Sequence, residues 1–403
     1  MTPGAQVSSR KRFMSANQPL PGALSPDPDD DLFAPIRREI AAEYAADHGK
    51  PWIVGFSGGK DSTLVTHLVV EHLLSLPRSE RTRPVHIVSN DTMVESPLVI
   101  GHIQTVLNEL SAAAAAFNLP IVVAVTEPDP DHTFWVNLIG RGYPSPNRSF
   151  RWCTDRMKIQ PTSRYVRTQA EIAGEVILLL GVRRSESATR AGVVARYDNG
   201  ERLNRHNDLE GCLVFRPIVE LDTDDVWEFL SENTPPWGGS HKRLIQLYRD
   251  AGGGECPVVT SKSDAPSCGS SSSRFGCWTC TVVEKDRSLS GFVEAGFGQF
   301  APLIAFRDWL VSIRNAPERR LARRRDGRVT IAQNGTFIPG PFNLSTRKEI
   351  LDKLLELQIE TKTPLIRENE IIRIQNLWVE DALASTARNT AARNSAPQNM
   401  EHI

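Results

Sequence analysis

The sequence has no apolar run long enough to span a bilayer. It also lacks an apolar signal-peptide core near its start, where Arg10, Lys11 and Arg12 lead only into Pro-, Ser- and Asp-rich sequence. A cytoplasmic protein with no membrane contact is expected. Charge of one sign is missing too. The 403 residues carry a net charge of -1, so no overall field draws the chain to nucleic acid, and any such contact has to come from local basic clusters. Cysteine is scarce at six residues, and a reducing compartment argues against a disulfide framework. No internal repeat is present.

What remains is ordinary soluble composition, 40% hydrophobic and 24% charged, in a chain long enough for two or three well-buried units. Residues 1–30, rich in Pro, Ser, Gly and Asp, read as a disordered tail. Residues 31–232 alternate helix and strand signals. An amphipathic helix is expected over Leu32–Ala46, a buried strand over Pro51–Phe56 and a helix over Asp61–Leu74. Strands follow at Val85–Ser89, Ile121–Val125 and Val176–Val182, with a helix over Pro97–Phe117 and another to Leu230 capped by Asp222. This alternation predicts an α/β fold, a doubly wound parallel sheet. Residues 233–300 form a cysteine-rich, Gly/Pro/Ser-rich segment. Residues 301–388 read as a helical region, with a capping box at Thr346 and Glu349 and a last helix from near Arg367 past Trp378. Residues 389–403 read as a loose tail.

Ser57-Gly58-Gly59-Lys60-Asp61-Ser62 stands between the first strand and its helix. Glycines there let backbone N–H groups turn toward an anion, and the helix points its positive end at the same place. Ser57 and Ser62 add hydroxyls and Lys60 adds a charge. The common P-loop is excluded, because it needs Gly where Val54 stands and Ser or Thr where Asp61 stands. The plainer alternative is a Gly-rich strand-to-helix turn.

Cys268-x8-Cys277-x2-Cys280, with Cys256 just upstream and Cys153 far back, is dense for so few cysteines. Thiolates so spaced bind Zn²⁺ or an iron–sulfur cluster. Zinc ribbons pair two Cys-x2-Cys knuckles, whereas one is present here, which suits a cluster held by dispersed cysteines. Cys212 reads as a core thiol. The densest basic stretch, Arg314, Arg319, Arg320, Arg323, Arg324, Arg325 and Arg328, suits sequence-independent phosphate contact, a solvated helix face or pairing with an acidic partner.

The phosphate loop, then Arg151-Trp152-Cys153-Thr154-Asp155-Arg156-Met157-Lys158, then Gly181-Val182-Arg183-Arg184-Ser185-Glu186-Ser187-Ala188-Thr189-Arg190 resemble, in order, the PP-loop family of phosphoadenylylsulfate reductases and sulfate adenylyltransferases. Phe215-Arg216-Pro217-Ile218 leading into Asp225-Val226-Trp227 adds to the likeness. The resemblance implies an ATP pyrophosphatase that frees pyrophosphate and leaves an adenylate, with Ser57, Lys60, Asp61 and Asp91 in catalytic roles. It implies that Gly58, Gly59, Ser62, Arg183, Arg184 and Arg190 bind nucleotide, and that Asp91 lies near the ATP or its Mg²⁺. The cysteine pattern after Thr154-Asp155-Arg156 is similar to the DndC family of DNA phosphorothioation proteins. That likeness implies a [4Fe–4S] cluster on Cys153, Cys268, Cys277 and Cys280. It also implies partners: DNA, a cysteine desulfurase as sulfur donor, and other subunits of a phosphorothioation complex. The alternatives are a reductase, a tRNA-thiolating enzyme and a non-catalytic nucleotide sensor. Reductases carry paired adjacent cysteines, where this chain has Trp152 and Thr154 around Cys153.

Overall fold

Short β-branched runs alternating with longer apolar-periodic segments produce a mostly parallel sheet with helices on both faces. A computed structural model describes residues 31–186, 191–192, 195, 200–252, 275–331, 333, 335 and 337–394, with side chains as far as residue 386. The expected tail over residues 1–30 lies outside these residues. Helix α1 (Ala34–Tyr44) leads into β1 (Trp52–Gly55), whose Trp52, Ile53 and Val54 are fully buried, as both covered faces of a parallel strand require. Then come α2 (Lys60–Ser75), β2 (Val85–Asn90), α3 (Pro97–Phe117) and β3 (Ile121–Thr126). Pro97 opens α3 at a position where a missing N–H costs nothing, and Asn118 in the left-handed region closes it.

Helix α4 (Gln160–Ala173) crosses back to β4 (Val176–Leu179). Two further strands, β5 (Leu203–Arg205) and β6 (Cys212–Phe215), complete a six-stranded sheet of order β3-β2-β1-β4-β6-β5. All neighbours are parallel except β5, an antiparallel edge on β6. The chain runs outward from β1 to β2 and β3, then returns to the other side of β1 with β4. The strand order therefore reverses at β1, and a crevice opens at the carboxyl ends of β1, β2 and β4.

Helix α5 (Thr223–Glu232) begins after Asp222, whose N–H donates to the Asp225 carboxylate at 2.6 Å. Helices α6 (Lys242–Asp250), α7 (Arg287–Glu294) and α8 (Ala301–Ile313) follow, then a two-stranded hairpin of β7 (Thr330–Ile331) and β8 (Phe337–Ile338). The chain ends on α9 (Leu344–Thr361) and α10 (Glu368–Asn394). These last helices pack on a π-helical turn at Val136–Gly140. There the Trp378 indole donates to the Ile139 carbonyl at 3.0 Å, and the Trp135 indole donates to the Leu365 carbonyl at 2.7 Å. One apolar cluster runs from Ile40 in α1 to Leu377 in α10.

The structure corrects four expectations. Strand β4 stops at Leu179, not Val182, because the chain must bend at Gly181 to pass the start of α2. Helix α9 is capped by Asn343, whose side chain accepts from Thr346 N–H at 2.9 Å. Asn is at least as good a cap as Thr, so the helix starts a turn before the expected capping box. Helix α10 continues to Asn394, so residues 389–394 of the expected tail are helical, and the rest lie outside the described residues. The basic stretch is not helical beyond Arg314: Pro317 opens a short 3-10 turn, and an extended, turn-rich segment follows.

A candidate nucleotide site beside a cysteine cluster

The phosphate loop is shaped by its own side chains. Ser62 Oγ donates to the Gly59 carbonyl at 3.0 Å and accepts from Ser57 N–H at 3.2 Å, with Ser57 Oγ 3.1 Å away. Gly58 sits at φ +73°, and a Cβ there would lie 2.4 Å from Ile103 of α3, so both backbone and space demand glycine. At Gly181 a Cβ would lie 2.7 Å from the Asp61 carbonyl, which is how closely the end of β4 approaches the first turn of α2. These two glycines let the amides of the loop and the N-terminus of α2 face one crevice.

That crevice is a cavity of about 490 Å³. It is lined by Ser57, Gly59, Lys60, Asp61 and Ser62 from the loop, by Val88, Asn90 and Glu95 from β2 and its exit, and by Leu180 and Gly181 after β4. Lys158, Thr162, Glu186, Tyr248 and Phe275 close it. Lys60 is 5% exposed, with its Nζ 3.4 Å from Asp61 Oδ2. An ammonium, a helix N-terminus and hydroxyls around one cavity form a site for a polyphosphate.

Arg183 does not line this cavity, which corrects its expected position. Its fully buried guanidinium donates to Asp61 Oδ1 at 2.6 Å, Ser185 Oγ at 2.9 Å and Thr223 Oγ1 at 3.1 Å. It braces Asp61 from behind and ties α2 to α5. Truncating such a buried partner would leave a charge unpaired, at a cost of about 3–5 kcal/mol. Arg184 points outward to Glu220 at 2.7 Å. Arg190 lies outside the described residues. Asp91 is likewise absent from the cavity lining, because its carboxylate accepts from Met93 N–H at 2.7 Å, holding a left-handed residue at φ 64°. The acid after β2 that does line the cavity is Glu95, four residues on, alongside Asp61 and Glu186.

Glu95 leads to the cysteines. Its backbone pairs with Cys277 in an antiparallel bridge, and Trp278 N–H donates to the Val94 carbonyl at 3.0 Å. The Cys277 thiol donates to Glu95 Oε2 at 3.8 Å and lies 3.3 Å from Thr92 Oγ1, which also bonds Glu95. Desolvation, more than the nearby Glu95 charge, pushes the Cys277 thiol up to about 12. Desolvation also lifts Glu95 to about 7, against the Lys158 ammonium that holds it down.

Cys153 sits in a short helical turn, Trp152–Thr154, that runs through a π-helical stretch, Asp155–Ile159, into α4. Asn90 Nδ2 donates to the Met157 carbonyl at 2.9 Å and so fixes this stretch to the end of β2. Burial, then the neighbouring Cys280, raises the Cys153 thiol above its usual range. Lys158 is shifted upward too, first by Cys277 and then, burial opposing, by Glu95, Cys153 and Cys280. Three thiols from two distant segments thus gather around one lysine, unjoined by any disulfide. In kind this donor set fits a thiolate-bound metal centre. Among the described residues no group of three ligands stands in metal-holding geometry. Cys268, expected as the fourth ligand, and Cys256 lie outside the described residues. Cys212 is buried in the small apolar cluster behind β4, as a core thiol should be, and burial lifts it to about 11.

The basic stretch is largely used within the chain. Arg320 donates to the carbonyls of Gly340 and Arg314 at 2.6 Å each and of Pro339 at 3.1 Å, with its guanidinium over the Phe342 ring. Arg314 holds the carbonyls of Pro146 and Thr281, Arg319 pairs with Glu349, and Arg325 pairs with Asp381. Arg323, Arg324 and Arg328 are on the surface, where they bond the Gly327 carbonyl, Thr330 Oγ1 and the Asp326 carboxylate.

Sequence reasoning missed Glu95, Lys158 and Tyr248. Lys158 stood in a quoted motif, but only the fold shows that it turns into the cavity. Glu95 and Tyr248 carry no local signal.

The profile of the phosphoadenosine phosphosulfate reductase domain matches residues 51–283. An uncharacterized protein of Methanocaldococcus jannaschii is 23% identical over 194 residues, 48% of this chain and 34% of that protein, so the chain spans about a third of that relative's length. Phosphoadenylyl-sulfate reductase from Candida auris is similar at 13% identity and a TM-score of 0.30, over 53% of this chain and 89% of that one. FMN adenylyltransferase from Candida glabrata gives 10% identity and a TM-score of 0.32, over 84% and 90%. The U34-tRNA thiolase NcsA from Methanococcus maripaludis, solved with its [4Fe-4S] cluster, gives 13% and 0.31, over 69% and 78%. With the profile covering more than half its length, from the strand before the phosphate loop to just past Cys280, the chain belongs to the phosphoadenosine phosphosulfate reductase domain family.

Proposed function

We propose that this protein is a PP-loop ATP pyrophosphatase that activates a DNA backbone phosphate by adenylation, so that sulfur can replace a non-bridging oxygen. The observation that carries the reading is the shared wall. Glu95 and Lys158 line the cavity of the phosphate loop, and the same two side chains interact with Cys277. A nucleotide in the cavity and sulfur chemistry at the cysteines would work on one reacting centre.

In this reading the loop amides and Lys60 bind the leaving pyrophosphate and stabilise the charge it gains. Asp61, braced by Arg183, orients Lys60 and would be the carboxylate to hold Mg²⁺. A non-bridging oxygen of the DNA phosphate bonds to the α-phosphorus of ATP as the bond to pyrophosphate breaks. The terminal persulfide sulfur of a cysteine desulfurase, reduced to sulfide by two electrons from a thiol reductant, then attacks the DNA phosphorus, and AMP leaves with the oxygen it had activated. Cys153, Cys277 and Cys280, with Cys268, would hold a [4Fe–4S] cluster, which supplies electron transfer when bound. Arg323, Arg324 and Arg328 offer surface cations for the DNA backbone.

The test supplies the protein with ATP, Mg²⁺, DNA and tRNA together, a desulfurase, a thiol reductant and ³⁵S-cysteine. Label should enter DNA as nuclease-resistant linkages, and Lys60→Ala should abolish it. Label entering tRNA instead would overturn the DNA assignment in favour of tRNA thiolation.

A further inference from the structure

Tyr248 reaches the phosphate loop from helix α6, 188 residues downstream of Lys60. Its hydroxyl accepts from Lys60 N–H at 3.4 Å. That N–H belongs to the first turn of α2, among the donors a bound phosphate oxygen would take. A Cβ on Gly59 would lie 3.2 Å from the same hydroxyl, so the bare glycine is what lets the phenol come so close. The Lys60 ammonium lies 5.7 Å from the centre of the Tyr248 ring, within cation–π reach. The ring is held edge-on by Trp227 at 4.8 Å and tilted against Phe275 at 4.5 Å, and only 7% of the residue is exposed. The phenol is therefore aimed with little rotational freedom at the one end of the cavity where loop amides converge.

We propose that Tyr248 is a phosphate-binding residue of the nucleotide site, its hydroxyl contacting the pyrophosphate end of ATP and holding the inorganic pyrophosphate that is released. This rests on the reading of the loop as an ATP site and deepens it. A phenol both accepts and donates, so one oxygen can take the Lys60 amide proton and give its own proton to a phosphate oxygen. The ring meanwhile keeps Lys60 beside that anion. Helix α6 lies outside the loop motif, so the phosphate subsite is built from two distant parts of the chain.

The experiment compares wild type, Tyr248→Phe and Lys60→Ala as full-length proteins. Affinities for ATP, inorganic pyrophosphate and AMP are measured by calorimetry, with melting temperature as a check on the fold. Tyr248→Phe keeps the ring and removes only the hydroxyl. It should weaken ATP and pyrophosphate by about ten-fold and leave AMP within two-fold, with the melting temperature unchanged. Unaltered pyrophosphate affinity in Tyr248→Phe, alongside its loss in Lys60→Ala, would overturn the role of Tyr248 and leave the ATP site standing. Equal weakening of AMP and pyrophosphate would also overturn it, since that pattern marks a packing role. If wild type and Lys60→Ala bind ATP alike, the loop reading itself fails.

Discussion

Lys60 and Arg183 carry the same charge near the same aspartate but have opposite surroundings. Lys60 lines the cavity, whereas the buried Arg183 guanidinium is turned to Asp61, Ser185 and Thr223. Of the three arginines expected to bind nucleotide, Arg183 is a brace, Arg184 makes an outward ion pair, and Arg190 lies outside the described residues. The cysteines divide in the same way. Cys153, Cys277 and Cys280 gather at Lys158, while Cys212 packs behind the sheet. Each of Cys153→Ser, Cys277→Ser and Cys280→Ser should lower the iron content of anaerobically purified protein to less than half. Cys212→Ser should leave it unchanged. Iron assay with absorption near roughly 400 nm reads the outcome, and iron retained by Cys153→Ser would detach the metal from the nucleotide site.

Three buried histidines, His67 of α2, His102 of α3 and His241 at the start of α6, lie behind the phosphate loop. His67 Nδ1 lies 3.0 Å from His241 Nε2, and His102 sits beside Gly58. Burial, with their mutual repulsion and nearby Arg37 and Arg243, lowers His67 to about 3 and His241 and His102 to about 4. Their folded values lie below the unfolded value of about 6.5, so the unfolded chain takes up protons first. Stability from these groups is fully present above about pH 6.5 and lost as pH falls toward 4, each contributing up to about 1.4 kcal/mol per pH unit. Urea midpoints should fall between pH 7 and pH 5, and by less in His67→Phe. An equal fall in that variant would remove the histidine from the account.

The basic segment makes a similar element-level distinction. Arg320→Glu should destabilise the fold, because three carbonyls and the Phe342 ring depend on that guanidinium. Arg323→Glu with Arg324→Glu should leave the melting temperature alone, weaken DNA binding across sequences and reduce the salt slope by about 0.9 per lost phosphate contact. Unchanged affinity would remove the segment from the DNA interface. Why this segment looked helical is clear: its charge density matches a solvated helix face, and only Pro317 signals the break.

Across the whole molecule, much of the central sheet was legible from local patterns. The strands β1, β2 and β3, the extent of α3 and the phosphate loop follow from short-range patterns of apolar residues and glycine. Sites assembled by pairing between distant segments could not be read that way. The bridge from Glu95 to Cys277 joins residues 182 positions apart, and Tyr248 reaches Lys60 over 188, so neither leaves a periodic trace. The central claim is that the loop holds a leaving pyrophosphate and exposes the α-phosphate of ATP. The direct measurement incubates the protein and DNA with ATP labelled separately in the α and γ positions and separates the products by charge. The account predicts label in AMP from the first and in pyrophosphate from the second, with both lost in Lys60→Ala. Labelled ADP with inorganic phosphate would contradict it.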